Sequence, residues 1–396
     1  MRVLFLSQRV PYPPNRGDKL TTWHLVERMG RAHGVQCIAF AHDAADFEAA
    51  RELTAKGYAT TAFPLPPRWR ALPLLLTQKP LTLGVYGSRA LQAAVDRAAP
   101  ECDLAYAYSS SMGAFLEPHT SLRRVMHFAE LDSDKWRQYG ERTRPPMSWV
   151  YAREARTLLA FERRIASAFD ENVFCTPIEQ ALFRQHVPGA SSMVLKNGVD
   201  LAAHRPSPES AEPGHIVFVG VMDYHPNVDA CVHFVQDVLP LVRAQHPGAR
   251  FTIVGSRPAP AVLRLAEVSG VTVTGFVDDP REYLRRAALS VAPLRIARGI
   301  QNKVLEALAM GLPVVGSTSA TQGVAGEPGR DYVLADGAAA TAEAVCRLLA
   351  DPAAAHALGA RARAFVEAHY DWEKAFEPLD ALLARLAPSA RARATS

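Results

Sequence analysis

Short apolar runs alternate with helix-length segments in both halves of the chain, and this alternation constrains the fold more than any other feature. The run 2–7, RVLFLS, is typical of a buried strand, and the segment after it ends at Gly30, a natural helix C-terminus. After a stretch rich in Pro, Ser and Glu, the run 215–221, HIVFVGV, starts the alternation again. Strands that alternate with helices pair in parallel through right-handed crossovers. The sequence therefore predicts an α/β fold with two doubly wound, Rossmann-like domains.

The Pro-rich stretch predicts where the two domains meet. A chain of 396 residues fits two cores of about 150–200 residues each. We predict a first domain over 1–205, joined by a C-terminal helix at 371–390, and a second domain over 206–370. Ligands of doubly wound sheets bind outside the carboxyl ends of the strands, so the expected site is a cleft between the two domains.

Composition excludes several classes of protein. The formal charge of +4 is small for this length and calls for no nucleic-acid partner. The five cysteines show no CxxC spacing, which indicates buried thiols in a reducing compartment. No apolar run reaches the roughly 18 residues that a membrane span needs. We therefore expect a cytoplasmic protein that at most rests on a membrane.

The segment 293–316, PLRIARGIQNKVLEALAMGLPVVG, carries the strongest signal of chemistry. It reads as a buried helix that begins near Asn302, a potential N-cap, after the flexible Gly299. The free amides of its first turn form an anion site, to which Lys303 adds a charge. Glu306 lies about one turn, roughly 5 Å, deeper on the same face, where a carboxylate would bind a vicinal diol such as a ribose. The spacing fits a nucleoside diphosphate; a Lys–Glu pair on an exposed helix is the alternative.

Five segments resemble, in the expected order, glycosyltransferase family 4, whose members are retaining sugar-nucleotide transferases of the GT-B fold. They are KNGVD, FVGVMDYHPNVDA, VTGFVDD, APLRIARGIQNKVLEALAMGLPVVGS and YDWEKAF. The N-terminal PYPPNRGDKL and ELDSDKW look like one subgroup, the sugar transferases of bacterial exopolysaccharide (PEP-CTERM/EpsH-type) clusters. The resemblance implies an acceptor-side first domain and a nucleotide-sugar donor domain after it.

The resemblance also implies roles for residues at matching positions. Glu306 matches the second Glu of the family's Glu-x7-Glu motif, which binds ribose. Arg298 stands where the first Glu, which approaches the donor sugar, is expected. The family's Lys after the first donor-domain strand is absent, so Lys303 and Arg298 are expected to hold the diphosphate. The predicted donor-binding residues are Gly17, Gly220, Gly275, Phe276, Val277, Gly299, Asn302 and Glu306.

Three catalytic and three acceptor-side residues complete the prediction. The catalytic set is His127, Lys303 and Arg298, and the acceptor-side set is Asp18, Glu130 and Asp132. Two of the assignments have structural alternatives, because His127 also fits a satisfied core histidine and Gly17 also fits an ordinary turn. The departing diphosphate can itself take the acceptor's proton, so electrostatic stabilisation of that group is the expected main catalytic effect.

We expect no metal and no cofactor. The DSD sequence at 132–134 imitates the Asp-x-Asp metal motif of another glycosyltransferase architecture, but we predict that it caps a helix beginning near Lys135 and Trp136. The predicted function is transfer of a hexose, with retention, from a nucleoside diphosphate sugar to a saccharide or polyprenyl-diphosphate-linked acceptor. The alternatives are a nucleotide-sugar-binding partner that has lost catalysis, and an epimerase or hydrolase of the same fold.

Two segments are candidates for contact with the inner face of the cytoplasmic membrane. Residues 64–81 place Trp and Arg beside several leucines, and the helix from Trp149 to 168 carries an arginine-rich face. For the second segment, an ordinary helix with a solvated arginine face is the alternative and the preferred interpretation.

Overall fold

The computed structural model describes residues 1–206, 211–297 and 299–388. The chain divides into two compact units, residues 1–195 together with those from 376 onward, and residues 196–375. The boundary predicted at residue 205 thus falls inside the second unit, and the one predicted at 371 falls there as well. Part of the Pro-rich stretch and the last two residues of the predicted helix 371–390 lie outside the described residues.

Unit 1 is built on a parallel sheet of seven strands in the order β3-β2-β1-β4-β5-β6-β7. The apolar runs 2–7, 35–42, 102–110, 123–131 and 171–177 predict five of these strands, whereas β3 and β7 were not predicted. The strands are β1 (Arg2–Ser7), β2 (Gly34–Ala41), β3 (Ala59–Pro64), β4 (Leu104–Tyr108), β5 (Arg123–Ala129), β6 (Glu171–Phe174) and β7 (Ser192–Val194).

Helices cover both faces of this sheet, as parallel strands require. They are α1 (Gly17–Gly30), α2 (Ala44–Ala55), α3 (Leu81–Val85), α4 (Arg89–Ala98), α5 (Ser110–Gly113), α6 (Asp132–Arg142), α7 (Met147–Ala168) and α8 (Pro177–His186). Three 3₁₀ segments accompany them, Arg68–Leu76, Ala99–Glu101 and Ala114–Leu116.

Unit 2 repeats the architecture with six parallel strands in the order β10-β9-β8-β11-β12-β13. The strands are β8 (His215–Val219), β9 (Arg250–Val254), β10 (Val271–Val273), β11 (Leu289–Ala292), β12 (Val314–Gly316) and β13 (Val333–Leu334). Both sheets therefore confirm the predicted doubly wound, Rossmann-like class.

The helices of unit 2 run from α9 to α17. They are α9 (His225–His233), α10 (Leu239–Gln245), α11 (Pro260–Leu263), α12 (Arg281–Arg286), α13 (Asn302–Ala309), α14 (Thr318–Thr321), α15 (Ala338–Ala350), α16 (Pro352–His369) and α17 (Trp372–Ala375). A π-helical segment, Phe234–Val238, joins α9 to α10, and a 3₁₀ segment, Arg264–Glu267, follows α11. After α17 the chain returns to unit 1 as α18 (Glu377–Leu386).

The predicted final helix is interrupted, and the reason lies in two neighbouring residues. Phe376 separates α17 from α18 and has a ψ angle of 3°, outside the helical range. Pro378 follows in the first turn of α18, where its missing N–H breaks no helical hydrogen bond. Among the described residues, no helix has the length and apolar character needed to span a membrane.

Because all strands are parallel, each sheet brings its carboxyl ends to one edge. In unit 1 that edge carries the loops after β1, β4 and β5; Gly17 begins the helix after the first of these loops, and Ser109 and Glu130 lie in the other two. In unit 2 it carries the loops after β8, β10 and β11. Every described residue of the predicted site lies on one of these two edges.

Candidate active site

In unit 2, helix α13 carries the central residues of the predicted donor site. Its buried face is formed by Val304, Leu305, Ala307 and Leu308, so it is a core helix as predicted. Gln301 stands at the N-cap position with an extended backbone and no side-chain capping bond, which corrects the expectation that Asn302 is the cap. The first-turn amides are therefore not satisfied by a capping side chain.

The end of α13 follows the prediction. Gly311 has a φ of +69°, and its N–H donates to the carbonyl of Leu308 at 3.0 Å. The N–H of Leu312 reaches back to the carbonyl of Ala307 at 3.1 Å, which completes a Schellman-type ending. Gly299, before the helix, also lies in the left-handed region at +61°. Arg298 lies outside the described residues.

Lys303 is partly buried at the start of α13 and is held by neutral groups. Its Nζ donates to the Oδ1 of Asn227 at 3.1 Å and to the Oε1 of Gln301 at 3.3 Å. It also lies 5.6 Å from the ring centroid of Phe218. Burial lowers the pKa of Lys303 to about 8, although the negative charge of Glu306 acts in the opposite direction. The ammonium group thus occupies a poorly hydrated place without a hydrogen-bonded carboxylate.

Glu306 lies on the same face of α13, three residues after Lys303. It is partly buried, and its carboxylate accepts no hydrogen bond from the described residues. Its acceptor oxygens therefore remain available for a ligand's hydroxyl groups. The alternative of a Lys–Glu surface pair is not what the structure has, since no ion pair within 4.0 Å joins the two side chains and Lys303 bonds amide oxygens instead.

Asn227 is a site residue that the sequence did not single out. Besides accepting from Lys303, its side-chain amide donates to the carbonyl of Val221 at 2.9 Å. A Cβ at Gly220 would lie 2.7 Å from the same amide nitrogen, so glycine is required for this close approach. Asn227 therefore ties the loop after β8 to the cation at the start of α13.

Asn302 takes part in a second unpredicted contact. Its Oδ1 accepts from the Nδ2 of the buried Asn197 at 3.1 Å. The neighbouring Gly198 packs against Trp372, because a Cβ there would approach the tryptophan ring at 2.6 Å. Two segments that were chosen only for their resemblance, KNGVD and YDWEKAF, are thus joined to the tip of α13.

The loop after β10 holds the predicted base-contacting residues. Gly275 has a φ of +70°, Phe276 is 75% exposed, and Val277 packs partly on the core of unit 2. An aromatic ring this exposed on the functional edge offers a flat apolar surface. Among the described residues, no hydrogen bond or ion pair joins Phe276 or Val277 to Lys303 or Glu306.

In unit 1, His127 lies on β5 close to the functional edge. Its Nδ1 is 2.7 Å from the hydroxyl oxygen of Tyr106, whereas its buried Nε2 has no hydrogen-bond partner among the described residues. Burial lowers the pKa of His127 to about 3, so the ring is neutral near pH 7. The interpretation as a satisfied core histidine therefore holds for only one of its two nitrogens.

Two non-glycine residues with positive φ lie next to His127. Ser109, directly after β4, has a φ of +78°, and Ala129, at the end of β5, has a φ of +61°. The amide of Ser109 donates to the carbonyl of His127 at 2.8 Å. Such conformations cost about 1–3 kcal/mol each and tend to occur at functional sites. Here they turn the chain outward at the ends of two neighbouring strands.

The acceptor-side acids of unit 1 are all paired with cations. Asp18, in the first turn of α1 after Gly17, lies 3.0 Å from the Nε of Arg16 and 3.3 Å from that of Arg9. No capping side chain bonds the first turn of α1, so the alternatives for Gly17 stay open. The amine of Lys135 is 3.2 Å from Glu130 and also contacts Asp132.

Two tyrosines show that these acids lie near one another. The charges of Asp132 and Asp18 both act on Tyr86, raising its pKa further after burial has raised it. The charges of Asp18 and Glu130 act in the same way on Tyr108. The ring of Tyr108 lies 4.8 Å from that of His127. The structure thus groups the predicted unit 1 residues around Tyr86 and Tyr108, neither of which was predicted.

The DSD sequence forms the first turn of α6, which corrects the predicted start near Lys135. Asp132 pairs with Lys135, and Asp134 accepts from the Nε of Arg137 at 2.8 Å. Ser133 donates to the buried Glu162 of α7, and burial raises the pKa of that carboxyl to about 8. The first turn of α6 is therefore fixed to α7 by hydrogen bonds from Ser133 to a buried carboxyl group.

Much of the sequence of unit 2 matches a known protein family. Residues 213–351 match the profile of the family described as "Glycosyl transferases group 1". Over these residues the chain is similar to group 1 glycosyl transferases. The matched residues include Gly220, Asn227, Lys303 and Glu306.

Two relatives from Mycobacterium tuberculosis are similar over a little more than half of the chain. One is a glycogen synthase, 29% identical over 242 residues, which cover 57% of this chain and 56% of that protein. The other is a GDP-mannose-dependent alpha-(1-6)-phosphatidylinositol monomannoside mannosyltransferase, 29% identical over 253 residues, which cover 57% and 64%. The chain thus spans between half and two thirds of the length of these relatives.

Solved structures resemble the whole chain and confirm the GT-B fold class. Sucrose-phosphate synthase from Thermosynechococcus elongatus superposes with a TM-score of 0.74 at 19% identity, over 98% of this chain and 99% of that one. Anabaena HepE in complex with UDP and glucose superposes with a TM-score of 0.73 at 17% identity, over 97% and 99%. At this level of identity the likeness establishes the fold alone.

Proposed function

We propose that this protein transfers a hexosyl group, with retention, from a nucleoside diphosphate sugar to a saccharide or polyprenyl-diphosphate-linked acceptor. The observation that carries the proposal is the arrangement of Lys303 and Glu306 on the first turns of α13, inside the matched domain. Relatives named as GDP-mannose-dependent and a neighbour solved with UDP and glucose support a nucleotide-sugar donor.

The proposed chemistry places the leaving group on unit 2. The bond between the anomeric carbon and the diphosphate oxygen breaks, and the acceptor oxygen forms the new bond on the same face. The acceptor's proton passes to the departing diphosphate. Lys303 and the first-turn amides of α13 would stabilise the developing negative charge, which is the effect that usually dominates such catalysis. These groups supply the positive charge, so we propose a reaction that requires no metal.

The remaining roles follow the same assignment. Glu306 would bind the ribose hydroxyls, and Phe276 with Val277 would contact the base. Gly17 and the neutral His127 would lie near the diphosphate and the reacting sugar, and Asp18, Glu130 and Asp132 would bind the acceptor. We further propose that the protein acts in the cytoplasm, in the synthesis of exopolysaccharide or another cell-surface glycan, as the resemblance to the PEP-CTERM/EpsH-type subgroup suggests.

A thermal-shift panel of nucleoside diphosphate sugars tests the donor assignment. We expect one or more of them to raise the melting temperature, and Glu306→Ala to weaken that nucleotide by about 30-fold or more, because hydrogen bonds to a charged group contribute about 1.5–3 kcal/mol each. Glu282→Ala, on α12, is the matched control. If no nucleotide stabilises the wild type, or if Glu306→Ala binds it equally well, the site is assigned wrongly.

Product analysis with the donors that bind in this panel separates the alternatives. Release of free sugar from the donor without any acceptor would favour a hydrolase, and interconversion of two donors would favour an epimerase. Binding of a donor without turnover against any saccharide acceptor would favour a partner protein that has lost catalysis.

A further inference from the structure

Exposed large apolar side chains are concentrated in two segments of unit 1. Trp69 is 66% exposed, Leu72 60% and Leu76 94%, all in one 3₁₀ segment. Met147 and Trp149, in the first turn of α7, are also exposed. We call these five side chains the apolar patch. Burying each of them would contribute about 1.5–3 kcal/mol, so their exposure needs an explanation.

Arg153 joins the two segments into one surface. Its Nη2 donates to the carbonyl oxygens of Leu74 and Thr77, and to that of Lys79 at 3.1 Å. Trp149 lies one helical turn before Arg153 on α7, and therefore on the same side of the helix. The sequence suggested that Arg153 belongs to a solvated arginine face, but the structure uses its guanidinium as an internal clamp.

Two further contacts determine which side of the 3₁₀ segment faces the protein. A Cβ at Gly84 would lie 2.7 Å from the Cα of Ala71, so the segment packs tightly on α3 through its small residue. Glu154, next to the clamp, accepts hydrogen bonds from the amides of Leu81 at 2.7 Å and Thr82 at 2.9 Å. The segment is thus held by its backbone, by Ala71 and by Leu74, whereas Leu72 and Leu76 are left exposed.

The exposed charges within the two segments of the apolar patch have one sign. Residues 64–81 contain Arg68, Arg70 and Lys79, all exposed, and no acidic residue. Residues 142–153 likewise contain arginines and no acidic residue. The guanidinium of Arg70 lies 5.9 Å from the ring centroid of Trp69. Tryptophan and leucine surrounded by arginine and lysine is the composition of surfaces that bind anionic lipids at the membrane interface.

We propose that the apolar patch, with its rim of Arg68, Arg70 and Lys79, docks this protein on the surface of an anionic lipid bilayer. The leucines and tryptophans enter the boundary between headgroups and acyl chains, and the rim cations contact lipid phosphates. The rest of α7 takes no part, because Arg164 is paired with Glu117 at 2.8 Å on another part of the helix.

The docking surface is directly connected to the acceptor-side residues. Helix α3, on which the 3₁₀ segment packs, is followed directly by Tyr86, whose pKa is raised by burial and then by the charges of Asp132 and Asp18. Docking would therefore place the acceptor-side edge of unit 1 close to the lipid headgroups. This consequence rests on the proposed function, whereas the docking itself does not.

Co-sedimentation with vesicles tests the proposal. We expect the wild type to sediment with equimolar phosphatidylglycerol–phosphatidylcholine vesicles and much less with phosphatidylcholine alone. Salt at about 1 M should weaken binding, because it shortens the Debye length to about 3 Å. Leu76→Glu should lower the affinity at least about tenfold by placing a charge in the apolar boundary. Leu263→Glu, at a leucine of unit 2 that is 52% exposed, is the matched control and should bind like the wild type.

Two results would overturn the proposal. One is a wild type that does not bind anionic vesicles, and the other is Leu76→Glu binding as well as the wild type. Sedimentation velocity tests the alternative that a second copy of the protein covers the patch. If the wild type is a dimer that binds no vesicles, and Leu76→Glu is a monomer, the patch is a dimer interface and the proposal is wrong. The melting temperature of Leu76→Glu with and without a nucleotide shows whether the variant is folded. The same measurement shows whether the donor site is intact, independently of the result for vesicle binding.

Discussion

The sheets of the two units have the same strand order over six strands. The edges formed by the carboxyl ends of their strands differ in how the charged side chains are arranged. At the edge of unit 1 the acids and cations neutralise one another: Asp18 lies between Arg9 and Arg16, and Lys135 contacts two carboxylates. At the edge of unit 2, Lys303 is held by two neutral amide oxygens. One edge pairs its charges directly, whereas the described hydrogen bonds of the Lys303 ammonium in the other go to neutral groups.

This difference indicates which kind of ligand each edge fits. An ammonium group in a poorly hydrated place interacts strongly with an opposite charge, and neutral partners hold it without cancelling its field. A cluster of paired acids and cations has little net charge to attract an ion. Its ordered carboxylates and guanidinium groups can still bind hydroxyl groups in defined directions. Unit 2 therefore suits a diphosphate and unit 1 a saccharide.

Replacement of Lys303 by Met should have the largest effect. The variant keeps the length of the side chain but removes the cation, so we expect kcat/KM for transfer to fall by about 100-fold or more, as when one electrostatic contact to a developing charge is lost. Folding should not suffer, because a partly buried charge is removed. Steady-state kinetics and thermal melting measure both effects.

Lys196→Met is the matched control for this variant. Lys196 lies in the same unit, with its Nζ 5.7 Å from the ring centroid of Tyr370, and it forms no part of the proposed donor site. Its kcat/KM should stay near the wild-type value. Equal losses in the two variants would mean that general charge, and not the cation on α13, attracts the donor.

Replacement of Asp132 by Asn should have the second largest effect and should separate the two edges. The amide keeps the shape but loses the charge paired with Lys135, so transfer should slow by about tenfold or more, because an amide binds the acceptor's hydroxyl group less strongly than a carboxylate does. The nucleotide-induced thermal shift should remain, because the donor site lies in the other unit. Loss of nucleotide binding with normal transfer would contradict the comparison.

Asp134→Asn gives the contrast on the same helix. This carboxylate bonds Arg137 and Gln138, so the variant should lose about 1–3 kcal/mol of stability but keep its rate of transfer. A loss of transfer in both variants that added Mg²⁺ or Mn²⁺ partly restores would instead identify DSD as a metal motif.

Most of the fold could be predicted from the sequence because its strands are buried on both faces. β1 occupies the predicted residues 2–7, and burial begins at its second residue and continues to its end. β3 and β7 were missed because they are edge strands with half-buried residues and little apolar contrast. The predicted helix 149–168 was found as α7, two residues longer at its start.

The candidate site was predictable only where its members share one element. Lys303 and Glu306 follow from helical spacing, but Asn227 contacts Lys303 from 76 positions away, and Asn197 contacts Asn302 from 105 positions away. The periodicity of apolar residues along the sequence does not predict contacts between residues this far apart. The role of Arg153 as a clamp was missed for the same reason, since its carbonyl partners belong to a segment without regular period.

The smallest predicted effect is a dependence of nucleotide affinity on pH, which follows from the titration of Lys303 in unit 2. The pKa of Lys303 is lowered to about 8 in the folded protein, whereas His127, with a pKa of about 3, does not titrate near neutrality. As pH rises above about 8, the ammonium loses its proton, and nucleotide affinity should fall by at most tenfold per pH unit.

The stability of the free protein should change in the opposite direction. Folding lowers this pKa below its ordinary value of 10.5, so the folded state disfavours the charged form, and unfolding becomes harder as pH rises from about 8 towards that value. Melting curves with and without a nucleoside diphosphate, between about pH 7 and 10, measure both trends. Lys303→Arg should keep its nucleotide affinity over this range, because a guanidinium stays charged throughout it. If its affinity falls with pH as steeply as that of the wild type, another group titrates, and Lys303 is not the source of donor binding.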